Sequence, residues 1–237
     1  MTKHYKKILT YFLYISIVTY SLVFVSSCNS DSNKIKLRNG DLLFLQENSK
    51  DDFTKAINDA TKSIKDYNFS HVGIAYKENN KWYVLEAIQK GVSQSPIKDF
   101  LSPKKEIDSS GNIHLYSSTV IAGRLKSKYA TCIPPAIKRI KALIGKPYDI
   151  YFNANNDLYY CSELIQQNYI FGGKPVFPYI NMTFKNLQNG KTDSFWTKHF
   201  ADLHIPVPEG KPGSNPGELS KSFKINILGQ ITIQDFE

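Results

Sequence analysis

Two alternating runs set around Asn79-Asn80 constrain this chain more than any other stretch. Phe69-Ser70-His71-Val72-Gly73-Ile74-Ala75-Tyr76 leads into the polar segment Lys77 to Lys81, and Trp82-Tyr83-Val84-Leu85-Glu86-Ala87-Ile88 follows. Successive side chains of a strand point to opposite faces, so two such runs about an Asn-Asn centre predict a β-hairpin. A two-residue turn sets Tyr76 opposite Tyr83, Gly73 opposite Glu86 and His71 opposite Ile88. In that register His71 and Glu86 share a face as diagonal neighbours, roughly 5 to 8 Å apart. A slip of one residue separates them. Val72, Ile74, Tyr76, Tyr83 and Leu85 make the bulky side, whereas Gly73 and Ala75 leave the His71 side open to a closely packed element. Singly, a His opening a strand is usually a half-exposed surface residue and a strand Glu usually faces water. Together on a small apolar face they suggest a pair.

The element expected to pack on that face is Asp157-Leu158-Tyr159-Tyr160-Cys161-Ser162-Glu163-Leu164-Ile165, which reads as a helix start with a cysteine in its first turn. Cys161, Leu164, Ile165, Asn168 and Tyr169 recur on one helical face, and Gly172-Gly173 are helix-ending residues. Unpaired N–H groups at a helix start favour a thiolate there. The opposing reading is a small buried apolar residue, the usual state of a free cysteine. A neutral imidazole can take a thiol proton, and a carboxylate on its other nitrogen stabilises the resulting imidazolium. Cys161, His71 and Glu86 are therefore the candidate nucleophile, base and orienting residue. Tyr148 is a candidate oxyanion donor alongside the Cys161 N–H, with a buried aromatic as its alternative. Tyr160 and Asp41 are further substrate-binding candidates, although Asp41 reads more readily as a turn residue at the mouth of the first strand. His71, Glu86 and His114 are conceivable metal ligands, but no close-spaced His or Cys pair of the zinc type occurs, so neither metal nor cofactor is expected.

At the N-terminus, Lys3, His4, Lys6 and Lys7 precede an uncharged apolar run from Ile8 to Val25, which ends at Val25-Ser26-Ser27-Cys28. The layout is that of a secretory signal over residues 1–27. Its end resembles the bacterial lipobox, implying a lipid on Cys28 and a membrane anchor. The alternative is a transmembrane segment, since the run could just span a bilayer. Tyr11, Tyr14, Ser16, Thr19, Tyr20 and Ser21 make the run only moderately apolar and favour the lipobox. Either way the remainder is placed outside the cytoplasm. In a cell with two membranes, Asn29 favours the outer one, by resemblance to known sorting rules. Losing Lys3, Lys6 and Lys7 with the leader lowers the net charge from +9 to about +6, a mild excess that suits anionic envelope polymers or head groups without naming a partner. No basic run with interleaved aromatics suggests nucleic acid. Of the three cysteines, acylation of Cys28 leaves Cys132 and Cys161, free or joined in a disulfide that would consume the nucleophile.

Residues 28–37 read as a polar tether and 38–237 as one domain. Leu42-Leu43-Phe44-Leu45 is of buried-strand length, and Asp51 to Lys65 reads as an amphipathic helix presenting Phe53, Ala56, Ile57, Ala60 and Ile64. Gly91 to Leu101 reads as turn and loop ending in an apolar anchor, and Ile113 to Tyr116 as a strand. Ile133, Ile137, Ile140 and Ile144 repeat at helical spacing between Pro134-Pro135 and Gly145. After Gly173 the chain is aromatic and irregular, with a short helix near Ser194 to Leu203, a loop over 210–217 and a closing strand or hairpin from Phe223 to Ile233.

With these residues placed, the chain resembles the circularly permuted branch of the NlpC-type papain-like cysteine hydrolases, the YiiX/YebB-like group. The resemblance rests on Asn39-Gly40-Asp41-Leu42-Leu43-Phe44, Ser70-His71-Val72-Gly73-Ile74, Val84-Leu85-Glu86-Ala87, Gly145-Lys146-Pro147-Tyr148-Asp149 and Tyr160-Cys161-Ser162-Glu163-Leu164, with Pro212 through Ser222 as a C-terminal match. It implies an α+β permuted papain-like fold, a small antiparallel sheet or barrel with the cysteine helix packed against it. In ordinary papain-like enzymes the cysteine helix comes first; here His71 precedes Cys161, as permutation requires. The resemblance implies Cys161 as nucleophile, His71 as base and Glu86 as orienting residue in a thiol amidase or peptidase. The implied substrates are cell-wall peptides such as peptidoglycan fragments, or small amides. Lipid-amide or ester hydrolysis, or acyl transfer, is an alternative suited to the apolar segment Phe177 to Phe184, and a non-catalytic binding lipoprotein is another. Residues 177–199 carry none of the motifs matched above and are expected to shape the pocket.

Overall fold

Strand residues buried on both faces dictate a sheet with a covering layer on each side. The computed structural model describes residues 34–107, 110–154 and 156–236. The chain opens with β1 (Leu42–Glu47), α1 (Asp52–Ala60), β2 (His71–Glu78), β3 (Lys81–Ile88), β4 (Gly91–Pro96) and α2 (Ile97–Leu101). A hairpin of β5 (Lys104–Ile107) and β6 (Ile113–Tyr116) leads into β7 (Ser118–Leu125), then a 3₁₀ turn and α3 (Ile133–Ala142). The cysteine helix α4 (Cys161–Asn168) precedes β8 (Ile170–Phe171), β9 (Lys174–Pro175) and β10 (Ile180–Asn181). The chain closes with α5 (Ser194–Asp202), β11 (Pro212–Gly213), α6 (Pro216–Ser220) and β12 (Ile225–Ile231). Six strands form one antiparallel sheet in the order β12-β7-β1-β2-β3-β4. The fold is thus α+β.

The hairpin forms in the expected register, with Tyr76 opposite Tyr83 and Ile74 opposite Leu85. Asn79 and Asn80 both take positive φ, 48° and 61°, the conformation that a two-residue turn needs to match strand twist. Leu42, Phe44, Val72, Ile74, Leu85 and Ile121 line one face of the sheet. Ala136, Ile137 and Ile140 of α3 cover it, together with Leu164 and Ile165 of α4. Each of these fully buried aliphatic side chains contributes about 1.5–3 kcal/mol. Leu43, Leu45, Ala75, Val84, Val120 and Ala122 line the opposite face under Ile97 and Phe100 of α2.

Here the structure departs from four expectations. The cysteine helix covers the bulky face, not the face of Gly73 and Ala75. The room left by those small residues is taken by Phe100, and a Cβ on Gly73 would collide with Val84 and crowd the Phe100 ring and Glu86 Cβ. Residues 91–96, expected as loop, form the edge strand β4. The helix from Asp51 stops at Ala60, because Ile64 N–H donates instead to Ser220 Oγ (3.0 Å). Gly172 and Gly173, expected to end the cysteine helix, form the turn between β8 and β9; the helix already ends at Asn168.

The expected leader 1–27 and Cys28 lie outside the described residues. The folded unit begins at Ile35, ahead of the expected boundary at residue 38. Ile35 and Leu37 pack on the sheet, and the Lys36 carbonyl accepts from Arg124 Nη2 (2.8 Å). Among the described residues no helix is long and apolar enough to cross a membrane.

Candidate active site

Cys161 is the first residue of α4, and its neighbours show why the helix starts there. Tyr160 is extended (φ −94°, ψ 170°), and its N–H donates to Glu163 Oε2 (3.4 Å) in the first turn. The helix is not amphipathic but buried almost all round, since Ser162, Glu163 and Gln166 are as enclosed as Leu164 and Ile165. Such a helix has its first turn fixed by packing on every side. Cys161 is itself 6% exposed.

His71 opens β2 as Cys161 opens α4, and the two side chains meet at these element starts. Cys161 stands close enough to the ring to favour its protonated form, and the ring Nε2 lies 2.7 Å from Glu86 Oε2. Glu86 is 6% exposed and the ring 17%. Burial opposes charge on the imidazole, but Cys161 and Glu86 outweigh it and raise the His71 pKa to about 10. The ring therefore carries its proton through the neutral range. Phe100, with its ring centroid 5.8 Å from that of His71, walls the far side.

Tyr148 lines the cavities on both sides of Cys161. Its segment is held by backbone bonds from Tyr159 N to the Pro147 carbonyl (3.3 Å) and from Asp149 N to the Tyr159 carbonyl (3.3 Å). Burial, then the proximity of Cys161, pushes its hydroxyl well above the ordinary tyrosine range, so it stays a neutral donor. Two other candidates are corrected. Tyr160 lines the smaller cavity with its ring, but its hydroxyl donates to Met182 Sδ (3.5 Å) and accepts from Ser214 N (2.9 Å). That hydroxyl is committed to the fold. Asp41 lies away from the site: Arg124 grips its carboxylate through Nε (2.7 Å) and Nη2 (2.6 Å), and Arg38 N adds a third bond (2.7 Å). It anchors the far end of β1 to β7. His114 lines neither cavity, and Cys132 and Cys161 are both free thiols.

Behind Cys161 sits a feature that carried no role in the sequence reading, a buried carboxyl pair. Asp149 and Glu163 are both 0% exposed. Asp149 takes bonds from Tyr151 N (2.9 Å), Asn153 N (2.8 Å) and Asn156 Nδ2 (3.0 Å). Glu163 accepts from Gln167 Nε2 (2.8 Å), and burial, then the Asp149 charge, raises its pKa to about 8. Both residues stood inside sequence motifs, and that was the available signal.

Two spaces meet at the sulfur. One, of about 620 Å³, is a wide cleft of mixed character, lined by His71, Glu86, Lys90 and Lys104 together with Phe53, Ile88 and Phe100. The other, of about 50 Å³, is walled by Ile57, Phe152, Met182, Phe184 and Trp196. Residues 177–199 shape this second space, through Met182, Phe184 and Trp196.

A cysteine at a helix start, an imidazole against it and a carboxylate behind the imidazole, with the histidine strand preceding the cysteine helix, define a papain-like thiol-hydrolase arrangement in permuted order. The family described as "Permuted papain-like amidase enzyme, YaeF/YiiX, C92 family" matches residues 36–223, and the chain belongs to it. It is 31% identical over 130 residues to the uncharacterized protein YiiX of Escherichia coli (strain K12), across 55% of this chain and 56% of that one. The match thus spans little more than half of that relative's length. The crystal structure of a protein described as metalloprotein YiiX, from Escherichia coli O157:H7, shares the fold with a TM-score of 0.63. That likeness covers 84% of this chain and 99% of the other, at 22% identity.

Proposed function

We propose that the protein is a thiol amidase or peptidase working through a Cys161–His71–Glu86 triad and an acyl-thioester. The observation that carries this is His71 Nε2 at 2.7 Å from Glu86 Oε2, with Cys161 lining the same cleft beside that ring. The imidazole holds the proton of the Cys161–His71 pair, and the Cys161 thiolate attacks the amide carbonyl carbon. The Cys161 N–H and Tyr148 hydroxyl are placed to receive the developing oxyanion. As the C–N bond breaks, the imidazolium protonates the departing nitrogen, and the acyl group stays on sulfur. Water then gives a proton to the neutral imidazole as it attacks the thioester, the C–S bond breaks, and the acid leaves with the Cys161–imidazolium pair restored. Glu86 keeps the ring in orientation and compensates its charge throughout.

Among the described residues no three His, Cys, Asp or Glu side chains are placed to share a metal ion. The His71 ring bonds Glu86 beside Cys161. No step of the proposed reaction runs through a metal.

In this proposal the protein is exported, held by a lipid on Cys28 and acts in the cell envelope, at the outer membrane where there are two. Its substrates are peptidoglycan stem peptides or similar small amides. The sequence layout of residues 1–28 and the mildly basic charge support the location; the small volume beside Cys161 supports peptide over lipid. A long acyl chain does not fit the space beside the sulfur, since 50 Å³ holds about three to five water-sized groups. A screen of purified protein on muropeptides and N-acyl amides, with Cys161→Ala alongside, tests the reading. Cleavage of muropeptides by wild type alone is expected. Equal background from both proteins on every substrate would leave a binding lipoprotein instead.

A further inference from the structure

The small space beside Cys161 is apolar except for two hydroxyls that the protein leaves unpaired. Ser70 Oγ and Thr61 Oγ1 are buried and accept or donate no bond, although both residues line this space. Three of the other polar liners are engaged within the fold. Ser214 Oγ donates to Ser162 Oγ (3.0 Å), Thr183 Oγ1 to Glu209 Oε1 (2.9 Å), and Asn215 Oδ1 accepts from Glu218 N (2.7 Å). A buried hydroxyl without a partner costs about 1–3 kcal/mol. Two of them in one pocket, 50 Å³ in volume, are a cost that an arriving group can relieve.

Direction follows from the imidazole. His71 lines the wide cleft and not the small space. The group that protonates the departing nitrogen therefore faces the cleft, and the amine leaves on that side. The acyl carbon's substituent is left to point the other way, past the sulfur. We propose that this space is an acyl-side specificity pocket for a short aliphatic substituent ending in a hydroxyl or similar hydrogen-bonding group, recognised by Ser70 and Thr61. The proposal rests on the thiol-hydrolase reading and adds the substrate class. At about three to five water-sized groups, a 3-hydroxybutanoyl unit or a threonine-like side chain fits, and a fatty chain does not.

The test uses the full chain and two nearly isosteric activated esters, p-nitrophenyl 3-hydroxybutanoate and p-nitrophenyl 3-methylbutanoate. Attack by Cys161 forms the thioester and releases p-nitrophenolate, so absorbance gives the acylation rate and intact mass gives the adduct. Wild type is expected to be acylated about tenfold faster by the hydroxy ester. The double variant Ser70→Ala, Thr61→Val should lose or reverse that preference, with its melting curve recorded to confirm folding. Equal rates in wild type overturn the pocket and leave the hydrolase standing, and so does a preference that survives in the folded double variant. No adduct on Cys161 from either ester overturns the hydrolase reading and the pocket with it.

Discussion

Replacing Glu163 by Gln should make the protein more stable at high pH, by an amount that the burial of this residue sets. The side chain is 0% exposed and meets Asp149, the Tyr160 N–H, Gln167 and Cys161. Its pKa rises from 4.5 to about 8, chiefly through burial and then through Asp149. In the unfolded chain the proton leaves near 4.5, while in the folded chain it stays until about 8. The folded state thus binds more protons between those values, and stability falls as pH rises across that window. The contribution is complete below the lower value and gone above the upper. At about 1.4 kcal/mol for each pH unit, the full loss is on the order of 5 kcal/mol. Glutamine keeps the shape and the acceptor for Tyr160 but does not ionise. His71, whose pKa is also raised, adds a slope of the same sign toward pH 10, but it does so in both proteins and cancels in the difference. Urea unfolding of wild type and Glu163→Gln at pH 5, 6.5, 8 and 9 reads this directly. The difference should grow in favour of Gln up to pH 8 and then level. A difference independent of pH would refute a protonated Glu163 behind the nucleophile.

Three further outcomes are expected. Glu86→Gln should leave the fold intact yet lower kcat/KM by about 10²–10⁴ on any substrate found, because the ring loses its compensating charge; a loss under twofold would remove Glu86 from the triad. Arg124→Met strands the Asp41 carboxylate, 1% exposed, with only the Arg38 N–H, and should cost about 3–5 kcal/mol in chemical denaturation while the folded protein keeps its activity. Gly91→Ala forces a side chain at φ +101° onto the Lys146 carbonyl. It should cost more than about 1 kcal/mol and slow turnover, since Val92 N (2.8 Å to that carbonyl) holds the segment leading to Tyr148.

The parts of this fold legible in sequence were those fixed by local chemistry. Asn79-Asn80 select one turn type, the turn fixes the register, and the register puts His71 and Glu86 on one face. What the pleat does not encode is which helix covers which face, so the cysteine helix was expected on the side that Phe100 fills. β7 escaped notice because Val120-Ile121-Ala122 is buried on both faces and shows no alternation. β4 escaped because Ser93-Gln94-Ser95-Pro96 is the polar outer edge of the sheet. Asp41 lay in a matching motif, but its partner Arg124 is 83 residues away and no local pattern links them. Ser70 and Thr61 were equally opaque, since an unpaired hydroxyl is defined only by what surrounds it.

The most direct measurement is selective alkylation: limiting iodoacetamide at mildly acidic pH, followed by peptide mapping of wild type and His71→Ala. Cys132 is 2% exposed, and burial pushes its thiol up, so it should react slowly. Cys161, beside the protonated imidazole, should carry nearly all the label in wild type and lose that advantage in the variant. Equal labelling of both cysteines, or a Cys161 rate indifferent to His71, would contradict an imidazole-activated nucleophile.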